Sequence, residues 1–194
     1  MSSRLLGGQS GTGDRTGRPP SRRRKHWVLI ALAAVIVAVS AATARLFVWP
    51  ERGMPAQVSA IVMLDSPGNT VSDALRVARQ HRARFLVISL GTPLSGYRCP
   101  APPPGVKLIC FNPKPATTQG EAEFVGRLAR KYHWRSVAVV TITPQDSRAR
   151  LRVARCFTGP VYVAATPIAL ASWPYEIAYE WSAMFKALVL QRSC

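Results

Sequence analysis

The chain has 194 residues, 48% of them apolar, which is enough for one domain with a buried core plus a tail. Its formal charge of +17 comes from 26 basic and nine acidic residues and selects anionic partners: nucleic acid, anionic lipid or phosphorylated small molecules. Nucleic acid fits badly, because no basic run is interleaved with stacking aromatics and no helix-turn-helix, zinc-finger or RNA-binding signature is present.

Residues 1–21 are rich in Gly, Ser, Thr, Arg and Pro and carry too little apolar surface to pack, so residues 1–26 are expected to form a disordered basic tail. Arg22, Arg23, Arg24 and Lys25 then precede WVLIALAAVIVAVSAATA, eighteen uncharged residues from Trp27 to Ala44, and Leu46, Phe47, Val48 and Trp49 follow Arg45. About twenty apolar residues cross a bilayer as a helix, so residues 27–49 are predicted to be a transmembrane helix. Basic residues stay on the cytoplasmic side, which puts the N-terminus inside and residues 58–194 outside, in a single-pass protein of the cell membrane. Two competing readings stay open. Ala42-Thr43-Ala44 has the small-residue pattern of a signal-peptide cleavage site, although the apolar run exceeds a signal core of roughly 7–15 residues. A buried helix of a soluble protein is the other.

After a short linker over 50–57, strand and helix patterns alternate through residues 58–194. Apolar, β-branched runs predict strands at 58–64, 85–90, 106–111, 137–142 and 161–165. Amphipathic stretches predict helices at 70–81, 118–132, 146–157 and 174–190. A turn at Ser66-Pro67-Gly68-Asn69 and a Pro/Gly-rich loop over 91–105 separate the early elements. This alternation implies an α/β class, a Rossmann-like, mostly parallel sheet with helices on both faces. No internal repeat is present.

Cys99 and Cys110 flank residues 100–108 and are expected to staple that loop in an oxidising compartment. Four cysteines allow three connectivities, and the alternative for Cys110 and Cys156 is a pair of small buried hydrophobes. The cysteine spacings match no zinc module and His26, His81 and His133 stand alone, so no metal site is expected. No nucleophile elbow, Walker A sequence or dinucleotide fingerprint is present, and no motif assigns a cofactor.

In an open α/β sheet the ligand crevice lies at the carboxyl ends of the strands. Polar residues at those ends are the binding candidates: Asp65 and Ser66 after the first strand, Ser89 at the end of the second, Thr118 and Glu121 after the third. Thr141, Thr143, Gln145, Arg148 and Arg150 follow from the fourth, and Glu121 and Asp146 are the candidates for acid–base chemistry. Structural roles compete. Thr118-x-x-Glu121 and Thr70-x-x-Asp73 both have the form of a capping box. Arg148, Arg152 and Arg155 share a helical face, which for Arg152 and Arg155 reads as solvated. Arg148 in the first turn opposes the helix dipole, so an anion should offset it: Asp146, Glu121 or a bound phosphate. Arg150 either snorkels or reaches into the crevice. Glu176 and Glu180, at i and i+4, repel. Glu180 is expected to pair with an arginine from another element, with an acid–base role for the two carboxylates as the alternative.

These residues carry a resemblance. SAIVML, SDALRVARQH, RFLVIS, TTQGEAEFVGRLARKYHWRSVAVVT and the Arg148-Ala149 pair resemble the envelope-associated family of unknown function that includes YdcF, SanA and ElyC, over about residues 58–190. Val140, Thr141, Arg148 and Ala149 match the family's strand–turn–helix pattern. Ile142 stands where Ser is usual, Gln145 where His is usual, and Asp65-Ser66-Pro67-Gly68 replaces a glycine-rich turn. The resemblance implies a Rossmann-like, often membrane-anchored domain facing the cell exterior and tied to envelope integrity or cell-wall precursor metabolism. It carries a polar cluster onto Thr118, Glu121, Thr141 and Arg148. The expectation is binding of an anionic or phosphorylated envelope metabolite, such as a polyprenyl-phosphate-linked precursor, with Arg148 holding the anion. A hydrolase or transferase acting on such a precursor and a non-catalytic scaffold in envelope assembly are the alternatives. Gln cannot transfer a proton at ordinary pH, and this favours the scaffold over the enzyme. The lipid bilayer is an expected partner besides the ligand, and the sequence names no protein partner.

Overall fold

The computed structural model describes residues 22–51, 53–68, 70–80, 83–92, 96 and 98–194. The predicted tail up to residue 21, Asn69 of the first turn, His81 and residues 93–95 and 97 of the Pro/Gly loop lie outside the described residues. The chain divides into two compact units, Met1–Val39 and Ser40–Cys194.

Helix α1 (Arg22–Thr43) contains neither Gly nor Pro and starts at the arginine run, five residues earlier than the expected tail would allow. Its apolar side chains are exposed rather than gathered on one stripe, unlike a surface helix of a globular protein. The stretch Arg23–Val48 is long and apolar enough to cross a membrane.

The second unit begins inside that stretch. A wider, π-type segment, Ala44–Val48, continues α1. Its Phe47 is fully buried and meets Trp181 edge-on at 5.4 Å. Trp181 Nε1 donates to Thr43 Oγ1 at 3.0 Å, and Ser147 Oγ donates to the Leu46 carbonyl at 2.7 Å. The C-terminal end of the apolar stretch is therefore built into the domain.

Five strands form one parallel sheet: β1 (Ala60–Met63), β2 (Phe85–Ser89), β3 (Lys107–Phe111), β4 (Val137–Ile142) and β5 (Val161–Thr166), in the order β3-β2-β1-β4-β5. Every residue of β1 and β4 is buried, as expected of strands covered on both faces. Alternation along β1 splits the core in two. Ala60 and Val62 pack with Val125 and Ala129 of α3 (Thr118–Tyr132) and Ala149 and Val153 of α4 (Asp146–Cys156). Ile61 and Met63 pack on the other face with Ala74, Val77 and Ala78 of α2 (Thr70–Gln80). Gly126 lets α3 and α4 meet closely: a Cβ there would lie 2.6 Å from the Cys156 carbonyl oxygen.

The predicted closing helix is split. Helix α5 (Trp173–Phe185), with Pro174 in its first turn, passes into a π-type segment, Lys186–Leu190. Here the expected solvated arginine stripe is corrected. Arg152 is buried and donates to the Gln191 carbonyl and Oε1, both at 2.6 Å, while Arg155 donates to the Ala187 and Gln191 carbonyls. The carbonyls at the end of a helix lack internal partners, and these guanidiniums satisfy them.

The disulfide Cys99–Cys110 staples the Pro/Gly loop to β3. A second, Cys156–Cys194, ties the end of α4 to the last residue. Cys156 is thus a half-cystine rather than a buried thiol. Closing a 38-residue separation restricts the unfolded chain by on the order of 3–4 kcal/mol. The Asp73 carboxylate accepts from Arg76 at 2.7 Å and from Thr166 at 2.9 Å, and so links α2 to the end of β5.

Candidate functional site

The chain winds from β1 through β2 to β3 on one side, then returns to add β4 and β5 on the other. The reversal falls between β1 and β4, and such switch points are where α/β sheets hold ligands. A cavity of about 500 Å³ opens there. Asp65 and Pro67 line it from the end of β1, Thr118 and Glu121 from α3, Gln145 and Arg148 from the end of β4 and α4. Tyr175, Glu176, Tyr179 and Glu180 of α5 close the opposite wall, with Lys186 and Gln191 beyond them.

A shift of one residue in the cap of α3 makes this wall. The N-cap is Thr117, whose Oγ1 accepts from the Gly120 N–H at 3.3 Å. Thr118 and Glu121 therefore do not form the expected capping box, and both side chains turn to the cavity. Gly120 is required at this bend, since a Cβ would fall on the Pro115 backbone. Thr118 Oγ1 accepts from Arg148 Nη1 at 2.6 Å, and a Glu121 carboxylate oxygen accepts the Asp65 backbone N–H at 2.7 Å.

Glu121 is 2% exposed. Burial pushes its carboxyl up to about 7, against the pull of the Asp65 N–H and the Ser89 hydroxyl; the Asp65 carboxylate raises it further and the Arg148 charge lowers it. A carboxyl titrating near neutrality in a cleft can both give and accept a proton. Glu176 is also raised, by burial and then by the neighbouring Glu180 charge, with Arg148 opposing.

Arg148 is bound on three sides. Its Nε and Nη2 donate to the two Glu180 oxygens at 2.7 Å each, a bidentate pair whose side chains are 8% and 1% exposed. Burial works against its charge, but Glu180 more than compensates and its pKa is raised. The anion that chiefly offsets this first-turn cation is thus Glu180, as the expected pairing of Glu180 with an arginine has it, with Glu121 adding a smaller attraction and Asp146 paired elsewhere. The cations left for a guest are Lys186, which is exposed, and Arg152, whose Nε has no hydrogen-bond partner among the described residues. The Arg152 pKa is lowered by burial, then by Arg155 and Arg148.

Five expected site residues line the cavity: Asp65, Thr118, Glu121, Gln145 and Arg148. Others support it from behind. Thr141 Oγ1 donates to Gln145 Oε1 at 2.7 Å, which reserves the amide nitrogen as a donor, and fully buried Ser89 bonds to Glu121. Ser66 Oγ donates to the Leu64 carbonyl, and Thr143 Oγ1 to the Thr166 carbonyl.

Arg150 and Asp146 do not line the cavity. Arg150 donates to the Val161 and Glu51 carbonyls and lies 3.6 Å from Asp146. Burial raises the Asp146 carboxyl to about 6, with Arg150 opposing and Glu51 adding to the rise. These residues join α4 to β5 and the linker and do not reach a guest. Sequence reasoning missed Tyr175, Tyr179, Lys186 and Gln191. The one available signal was the i, i+4 spacing of the tyrosines, whose rings stack at 6.3 Å. Arg148 lies 5.7 Å from the Tyr179 ring. Among the described residues no group of three His, Cys, Asp or Glu side chains is placed to hold a metal ion.

No family model, curated protein or solved structure matches this chain.

Proposed function

We propose that this chain is a single-pass membrane protein whose α/β domain faces away from the cytoplasm and binds an anionic, phosphorylated envelope metabolite in the switch-point cavity, in support of envelope integrity. The carrying observation is the cavity itself. It gathers Lys186, Arg152 and the amide of Gln145 near the buried Glu121, with two tyrosine rings at its rim. Arginine at 22–24 and Lys25 before the apolar stretch favour a cytoplasmic N-terminus, and two disulfides favour an oxidising compartment for the domain. The resemblance to the YdcF, SanA and ElyC family supports an envelope role.

The anion contact shifts from Arg148 to Lys186 and Arg152 in this reading, because Glu180 already neutralises Arg148. Full-length protein in detergent, titrated with geranyl phosphate, is expected to melt at rising temperature with a saturable dependence. Lys186→Ala is expected to weaken that binding about tenfold, the loss of one exposed charge-assisted contact. No thermal shift at millimolar geranyl phosphate, or equal affinity in the variant, would count against an anion site.

A second reading rests on Glu121. Its near-neutral carboxyl suits a hydrolase or transferase acting on the same class of compound, with Glu121 as general acid–base.

A further inference from the structure

The exposed side of α5 and the segment after it carries more apolar surface than a scattered few residues. Phe185 is 61% exposed, Leu190 69%, Leu188 49% and Val189 44%, within six consecutive positions. A contiguous strip of this kind on a soluble domain marks a contact with lipid or protein.

The position of α5 selects between them. On one flank Trp181 holds Phe47 and Thr43, the outer end of the stretch long and apolar enough to cross a bilayer. On the other flank Tyr175 and Tyr179 form the cavity rim. At 100° per residue, Trp181 and Tyr179 stand about 160° apart, and Phe185 lies on the face between them. Trp49, the residue that ends the apolar stretch, is 66% exposed, as befits an interfacial tryptophan. Charge points the same way. Lys186 and Arg192 are exposed beside the strip. Seven basic residues and one acidic residue lie in the first 25 positions, which leaves +11 on the rest of the chain. Two such domains repel, whereas an anionic bilayer attracts each.

We infer that the outward face of α5 and the segment Lys186–Leu190 rests in the headgroup–acyl interface of the membrane crossed by α1, so that the cavity opens toward lipid headgroups. This rests on the anchored reading proposed above. Its consequence is that the guest is reached from the bilayer rather than from solution: the phosphorylated headgroup of a membrane lipid.

The test is photocrosslinking of the full chain in vesicles of phosphatidylethanolamine and phosphatidylglycerol. p-Benzoylphenylalanine replaces Phe185, Leu188, Val35 or Arg135 one at a time. Val35 lies within α1, and exposed Arg135 lies at the opposite end of the strands from the cavity. Lipid adducts at 35, 185 and 188 but not at 135 are expected. Adducts at 35 without any at 185 and 188 would overturn the docking face alone. A covalent dimer through 185 or 188 would overturn it in favour of a second copy of the chain. Absence of adducts at 35 would overturn the anchor, and the docking face with it.

Discussion

Glu180→Ala is expected to lower the stability of the domain by about 3–5 kcal/mol, because it strands a buried guanidinium. Arg148 loses two hydrogen bonds of 2.7 Å and keeps only Thr118 at 2.6 Å. For a unit of this size the fall in melting temperature is on the order of 10 °C. Glu180→Gln leaves one acceptor facing the fork and should lose less. The double variant Arg148→Met, Glu180→Leu removes both charges and should recover most of the loss, because apolar side chains replace a buried pair at little cost. A single variant that melts like the wild type would mean that Arg148 finds another anion, and the assignment of Glu180 as its partner would fail. The same argument makes Arg148→Ala a poor probe of ligand binding, since it unsettles the wall that α4 and α5 share.

Glu121→Gln is expected to raise stability at pH 8 by about 2–3 kcal/mol and to leave it almost unchanged near pH 4.5. The sign follows from the raised carboxyl. Its ordinary value is 4.5 and burial lifts it to about 7, so across that interval the folded state holds the proton more tightly than the unfolded chain. Wild-type stability contributed by this group is complete below about pH 4.5 and is lost as pH rises through 7. Glutamine is neutral throughout, and its Oε1 still accepts the Asp65 N–H. The difference between the two melting curves across pH 5–8 isolates Glu121, because Asp146, raised to about 6, is common to both proteins. Curves that run parallel would show that Glu121 is ionised at neutral pH, and the acid–base reading would lose its basis.

Local signals account for the parts of this fold that were legible in the sequence. The five strands are short apolar runs with turn residues at their ends; helices join β1 to β2, β3 to β4 and β4 to β5, which favours parallel pairing, whereas β2 and β3 pair in parallel across the Pro/Gly loop. Asp65, Thr118, Glu121, Gln145 and Arg148 sit at strand ends or first helical turns, so topology alone brings them to one crevice. The rest depended on contacts between distant segments. A helical wheel groups Arg148, Arg152 and Arg155 on one face, but it cannot say that the Gln191 carbonyl and Glu180 lie against that face. The cap of α3 differs from expectation by one residue because Thr117 and Thr118 are both capping residues, and the close approach of Gly120 to Pro115 decides between them. Cys156–Cys194 spans 38 residues and leaves no local trace. From the sequence, Glu180 is expected to pair with an arginine from another element, and Arg148 is that arginine; Tyr175 and Tyr179 beside it escaped notice because α5 lies away from any strand end in the chain.

The most direct test is mass spectrometry of small molecules released from the full-length protein after its purification in detergent from the membranes of cells that make it, beside a Lys186→Glu variant. Lys186 lines the cavity and is exposed, so the reversal leaves the buried pairs intact. A phosphorus-containing anion that accompanies the wild type and is depleted at least tenfold in the variant is the expected result. Wild type and variant carrying the same compounds in the same amounts, or no phosphorylated compound on either, would contradict the proposal that this cavity holds an anionic guest.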